Sequence, residues 1–181
     1  MCSSDLDVVH RGLPGRVCAA IEDAQLQPRH LTLELPENVL VERLEAALPT
    51  LNELREVGVG LSLDDFGTGY SSLRHLSALP VSSLKIDRCF VQELQRGSGD
   101  VAVLRAIVSL ATSLGKSIVA EGIETAAQIQ QLRRLGCAAG QGYYLARPLS
   151  ASQIHKMLAG SVASARARET IERVAADMQA H

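Results

Sequence analysis

The chain has no tryptophan, and aromatic residues make up only 3% of its 181 residues. That leaves little on which to stack bases, so a single-strand nucleic-acid platform is excluded. Neither sign of charge is in surplus. The 18 Lys and Arg stand against 20 Asp and Glu, for a net charge of −2, and no basic excess favours a phosphate backbone. No stretch approaches the roughly 20 apolar residues of a membrane span. The opening Met1 to His10 lacks the basic-then-apolar order of an export signal. The four cysteines, Cys2, Cys18, Cys89 and Cys137, lie far apart without CxxC or zinc-finger spacing, and read as reduced thiols in core packing. The expectation is a cytoplasmic protein with no membrane contact and no nucleic-acid polymer as partner.

What is present is a globular composition, 46% hydrophobic and 21% charged, and a repeating pattern. Helical stripes end in Gly or Pro, and short apolar strands follow. Val17 to Ala24 reads as a helix and leads into a strand at Leu31 to Leu35. Leu40, Leu44, Leu48, Leu51 and Leu54 form a stripe stopped by Gly58. Ser71 to Leu79 is a short helix stopped by Pro80. Leu104, Ile107, Val108, Ala111 and Leu114 form the next stripe. Thr125 with Gln128 makes a capping box ahead of Ile129, Leu132 and Leu135. The strands are expected near 31–35, 60–65, 82–87, 117–122 and 138–144. Strands alternating with helices imply an α/β fold with a parallel sheet. Residues 161–181 read as a separate charged helical tail, so the domain boundary is expected at 160/161.

Four of the five strands carry ionisable groups near their C-terminal ends: Glu34, Asp64 with Asp65, Lys85 with Asp87, and Glu121. The fifth carries Gln141. In α/β folds that edge holds the active site. One such acid is often only a helix cap, but recurrence at the same edge of each strand is harder to assign to capping. Converging carboxylates repel one another, and hard cations such as Mg²⁺ or Mn²⁺ relieve the repulsion. Paired cations of this kind clamp a phosphodiester during hydrolysis. Residues two apart share a strand face, so Thr32 goes with Glu34, Ser62 with Asp64, and Lys85 with Asp87. Leu31, Leu33, Leu61, Leu63, Leu84 and Ile86 take the other face.

The run Asp65-Phe66-Gly67-Thr68-Gly69-Tyr70-Ser71-Ser72 follows a strand and opens a helix. As a dinucleotide loop it lacks the third glycine, and its acids would repel a pyrophosphate. The kinase-like Asp65-Phe66-Gly67 has no phosphate loop or HRD sequence beside it. A flexible loop whose glycines permit positive φ also fits, and is compatible with gating or dimer formation.

Five motifs occur in order: Glu34-Leu35-Pro36-Glu37, Asp64 to Leu73, Lys85-Ile86-Asp87, Glu121-Gly122-Ile123-Glu124 and Gln141-Gly142-Tyr143. Together they resemble the EAL-domain cyclic di-GMP phosphodiesterases, from about Val17 to Leu158. The resemblance implies a (β/α)8 barrel of which this chain holds the last five βα units. It also implies two-metal hydrolysis of cyclic di-GMP to linear pGpG in bacterial second-messenger signalling. Carried over by residue, Glu34, Asp64, Asp65 and Glu121 resemble metal ligands, with Asp64 bridging both ions. Lys85, with Glu121, falls among the catalytic positions, where it orients or deprotonates the attacking water. Gln141 and Asp87 fall on the substrate side. Glu37 and Glu124 resemble supports of the Asp65–Leu73 loop, through which a homodimer is implied.

The sequence departs from the family pattern at three points. The Glu-Ala-Leu motif is absent, an asparagine ligand expected near Cys2 is missing, and Pro36 replaces a threonine. The first metal keeps only Glu34 and Asp64, whereas the second-metal set is complete. A barrel takes about 250 residues, so 181 residues read as an N-terminally truncated barrel, residues 1–160 being a partial EAL domain. The isolated chain is expected to be inactive for that reason. The alternative is a degenerate, non-catalytic EAL module that binds cyclic di-GMP or a protein partner.

Overall fold

The computed structural model describes residues 12–67, 73–94 and 98–158, with backbone only at 38–42, 73–74, 98–100 and 156–158. The tail expected at 161–181, the 160/161 boundary and Cys2 lie outside the described residues. Chain contacts separate two compact units, one ending at Gln141 and one beginning at Gly142.

The first unit opens with α1 (Leu13–Asp23), which carries Pro14 in its first turn, where a missing N–H costs nothing. A single 3₁₀ turn at Pro28–His30 leads to β1 (Thr32–Pro36). Then come α2 (Glu37–Val57), β2 (Gly60–Phe66), α3 (Leu73–Ala78), β3 (Ser83–Ile86), α4 (Arg88–Glu93), α5 (Ser98–Ser113), β4 (Ser117–Ala120), α6 (Ala126–Arg134) and β5 (Ala139–Gly140). The five strands form one sheet in the order β1-β2-β3-β4-β5, every neighbouring pair parallel. All strand C-termini therefore meet at one edge, as the alternating pattern implies.

Strand polarity follows the apolar face. Leu61, Leu63, Leu84 and Ile86 are at most 1% exposed, and with Leu51, Leu54, Leu76, Val91 and Leu104 they make the core. Helix α2 ends at Gly58, whose φ of +97° turns the chain while Val59 N–H closes on Leu54 O at 3.1 Å. The helix is broken at Arg43 (φ −135°), and Pro49 sits exposed within it. Pro36 ends the edge strand β1 opposite Asp64, a place where a missing N–H disturbs the ladder little.

Four expectations need correction. The fifth strand spans only Ala139–Gly140, because Leu145 and Ala146 donate to Gly142 O and turn the chain. The strand expected at 117–122 stops at Ala120, ahead of Gly122 at φ +69°, where a Cβ would stand 2.5 Å from Arg88 Cβ. Helix α4 was not foreseen. Asp87 caps it by accepting from Cys89 N–H at 2.8 Å, a short-range signal that Asp87's place in a strand pattern hides. Cys89 is exposed rather than packed, whereas Cys137 is buried and Cys18 half-buried, all three as free thiols.

In the second unit, Ser150 and Gln153 cap α7 (Ala151–Leu158) reciprocally, and Arg147 lies 5.6 Å from the Tyr143 ring centroid. Among the described residues, no helix is long and apolar enough to cross a membrane.

Leu84 lies in the middle of the core at 0% exposure, whereas Val103 on α5 is 48% exposed. Leu84→Ala is expected to cost about 2–5 kcal/mol of stability in urea unfolding. Val103→Ala should stay within about 0.5 kcal/mol of the parent chain.

Candidate metal centre

Glu34, Asp64, Lys85, Glu121 and Gln141 converge at the C-terminal edge of the sheet, one from or just beyond each strand. Glu34 lies in β1 opposite Ser62, and Lys85 lies in β3 opposite Val119. Glu121 directly follows β4, its N–H bonded to Ile86 O at 3.1 Å. Gln141 directly follows β5, its N–H bonded to Ala120 O at 2.8 Å. Backbone ladders thus extend one residue beyond β4 and β5 and fix the bases of both side chains.

Lys85 is the hub. Its Nζ lies 2.6 Å from Glu121 Oε1, 2.8 Å from Glu34 Oε2 and 3.1 Å from Asp64 Oδ1. The lysine side chain is 8% exposed, against 51% for Glu34, 25% for Asp64 and 18% for Glu121. Burial pulls the ammonium's pKa down, but hydrogen bonds to Glu121, Glu34 and Asp64 outweigh it, and the net direction is upward. Gln141 Nε2 donates to Glu121 Oε1 at 2.7 Å, so that oxygen takes two donors.

A register break between β2 and β3 creates the other half of the site. Leu63 pairs with Leu84 and Phe66 with Ile86, so Asp64 and Asp65 together face the single residue Lys85. Regular alternation would send consecutive residues to opposite faces. The extra residue, with Asp65 at φ +53°, lets both carboxylates serve one site. Oxygens of Asp64, Asp65 and Glu121 lie within 4.8 Å of one another. Burial, then the charges of Asp64 and Asp87, push the Asp65 carboxyl above its usual range.

These residues fit a hard divalent cation. The donors are all carboxylate oxygens. Asp64 Oδ1 is buried, with the Lys85 ammonium at 3.1 Å as its one partner among the described residues, which leaves it acceptor capacity for a cation. The charge balance points the same way. Glu34, Asp64, Asp65, Asp87 and Glu121 against Lys85 leave five negative charges and one positive, a formal −4.

The other expected residues separate into two groups. Glu37, buried at 2% exposure in the first turn of α2, accepts from Gly67 N–H at 2.9 Å and so holds the start of the Asp65–Leu73 loop. Residues 68–72 of that loop, where the homodimer contact was expected, lie outside the described residues. Asp87 acts as the cap of α4; burial pushes its pKa up, but the Cys89 thiol and backbone N–H, with the charge of Arg88, outweigh that and lower it. Glu124 stands apart. It is exposed, and its N–H donates to Gln128 Oε1 at 2.8 Å. Residues 68–72 of the loop it is expected to support lie outside the described residues. Gln128 is the residue missed. Besides closing the expected capping box with Thr125, it donates from Nε2 to Val91 O at 3.2 Å, joining α6 to α4 beneath the Glu121–Glu124 turn. The capping box pointed to Gln128, but nothing in the sequence ties it to Val91.

A parallel α/β sheet with an oxygen-only cation site at its C-terminal edge is the arrangement of a metal-assisted barrel hydrolase. The chain matches the EAL domain family over residues 3–148 and belongs to it. EAL domains have a TIM-barrel fold, and the five-stranded sheet is a partial barrel of that kind. The bifunctional diguanylate cyclase/cyclic di-GMP phosphodiesterase MucR of Pseudomonas aeruginosa is 48% identical over 151 residues, which are 83% of this chain and 22% of MucR. The cyclic di-GMP phosphodiesterase RocR of the same organism is 38% identical over 83% of this chain and 38% of its own length. This chain therefore spans less than half of these relatives. The solved MucR phosphodiesterase in complex with c-di-GMP superposes with a TM-score of 0.79 over 83% of this chain and 61% of that one. Klebsiella pneumoniae BlrP1, solved as a manganese/cyclic di-GMP complex, is 29% identical with a TM-score of 0.72, over 77% of this chain and 36% of that one.

Asp65 ionises against its surroundings. Its folded-state pKa is raised above the unfolded value, so its charge opposes folding once the pH rises through the carboxylate range. Without divalent cations, Asp65→Asn is expected to raise the urea midpoint at pH 7. The gain should vanish near pH 3, where the native carboxyl is protonated in both states.

Proposed function

We propose that the chain carries the carboxylate half of a cyclic di-GMP phosphodiesterase site, opening the cyclic dinucleotide to linear pGpG. The observation that carries this is the Asp64, Asp65 and Glu121 cluster set around Lys85. Relatives that are named cyclic di-GMP phosphodiesterases, and the c-di-GMP complex of the MucR domain, support the same substrate.

Asp64, Asp65 and Glu121 would hold a Mg²⁺ or Mn²⁺ ion, and Glu34 with Asp64 would contribute to a second. The cations would neutralise the developing charge on the phosphodiester oxygens and acidify the attacking water. The protein's own residues do the remaining work. Lys85 keeps its proton at neutral pH, so it acts as a donor that fixes Glu34, Asp64 and Glu121 in one geometry and orients water. Gln141 also holds Glu121, by donating from Nε2 to its Oε1. Asp87 borders the same edge, and Glu37 keeps the loop entrance fixed through Gly67.

The 181-residue sequence holds no Glu-Ala-Leu motif, so the ion that Glu34 and Asp64 would share has only those two ligands here. The 181-residue chain is expected to bind Mn²⁺, read by paramagnetic resonance, and to yield no pGpG from cyclic di-GMP. Fusing it behind the Glu-Ala-Leu strands of the MucR domain should produce pGpG. Asp64→Asn in that fusion should cut turnover by at least about 100-fold. A folded fusion that binds cyclic di-GMP without opening it would leave the non-catalytic reading standing.

A further inference from the structure

Cations gather at the sheet edge opposite the carboxylates. A cavity of about 630 Å³ opens there, among the segments that lead into β2, β3 and β4. Arg29, Arg55 and Lys116 line it, and no acidic residue does. Val59, Leu61, Leu79 and Val81 form an apolar part of the wall. Neither guanidinium has an ion pair or hydrogen bond among the described residues.

The two guanidinium groups bond no helix-end carbonyl among the described residues. At the end of α2, Arg55 O and Leu54 O accept from Gly58 and Val59 N–H, and at the end of α5, Thr112 O and Ala111 O accept from Gly115 and Lys116 N–H. Lys116 Nζ is anchored on Leu79 O at 3.0 Å and Val81 O at 2.9 Å. An ammonium has three donors, so one remains for a ligand. Burial, then the charge of Arg55, lowers the pKa of Lys116. A bound anion would offset both effects.

We propose that this cavity binds a small organic phosphate, its phosphate held by Arg29, Arg55 and Lys116 and its body against the apolar wall. Guanidinium forks match phosphate oxygens in pairs, and a dianion balances three cations better than a carboxylate does. A volume of about 630 Å³ is that of a small-molecule site, larger than a bare phosphate needs. Binding here requires no divalent cation, and so is separable from the acidic edge.

The test is an NMR titration of the full chain with phenyl phosphate and, separately, inorganic phosphate, in EDTA at constant ionic strength. Saturable shifts are expected at the amides of Gly58, Gly60 and Gly115, with those of Asp64 and Glu121 unmoved. Phenyl phosphate should bind about tenfold more tightly than inorganic phosphate. R29Q and R55Q, both exposed positions that leave the core intact, should each weaken it by about tenfold. No saturation at millimolar ligand, equal affinity for the two probes, undiminished binding by both variants, or shifts centred on Asp64 and Glu121 would each overturn the assignment.

Discussion

The site depends on one buried ammonium. Lys85 reaches carboxylates from β1, from β2 and from the residue after β4, at 2.6–3.1 Å. Two carboxylates about 5 Å apart repel by roughly 3 kcal/mol at an effective dielectric of 20. Several such pairs would strain the sheet edge that carries them. Burying a lone ammonium is also costly, and only several partners at good geometry offset that cost. Each side therefore makes the other tolerable. The balance is incomplete, because one positive charge faces five negative ones, and the remainder is what a divalent cation would neutralise.

The parallel order of the strands makes this convergence possible, and an irregularity completes it. Adjacent in-register strands bring Glu34, Lys85 and the residues after β4 and β5 to one edge. Asp64 arrives the same way. Asp65 does not, since strand alternation points it elsewhere. The register break opposite Lys85 and the left-handed backbone at Asp65 bring it in. The conformation is one that non-glycine residues seldom adopt, and Asp is among the more tolerant of it. The site is thus partly paid for in backbone strain and in the raised pKa of Asp65.

Much of this was legible beforehand, for identifiable reasons. Four strands were readable because short apolar runs alternate with polar residues and end at polar groups, and the helices because Gly58 and Gly115 stop clear stripes. The acids were readable as a group because they recur at equivalent strand ends. Family resemblance, not spacing, separated ligand from support, as at Glu37. The bulge was not legible, because two successive aspartates look the same in a regular strand. Lys85 as a hub was not legible either, because its three partners lie 21 to 51 positions away in sequence. Past Ala139–Gly140, Gly142, which reads as a strand interruption, belongs to the turn that ends it.

A net charge of −2 conceals a strongly divided field. In a βα unit each helix begins at the sheet edge where its strand ends, so helix N-termini gather at the acidic edge and C-termini at the other. The partial positive charge of those N-termini favours acids, and the C-termini favour cations. Glu37 in the first turn of α2 and Asp87 at the cap of α4 follow this rule at one edge. Arg55 in the last turn of α2, and Lys116 just past α5, follow it at the other. The dipoles alone do not account for the outcome, because their effect is worth about 0.3–1 kcal/mol per charge and fades within a turn. Five carboxylates at one edge, three of them on Lys85, exceed what N-termini can stabilise. Arg29 and Arg55, which line the cavity without bonding a helix carbonyl among the described residues, likewise exceed what C-termini require. At both edges the charge surplus beyond the dipole is the physical mark of a ligand, a cation at one and an anion at the other.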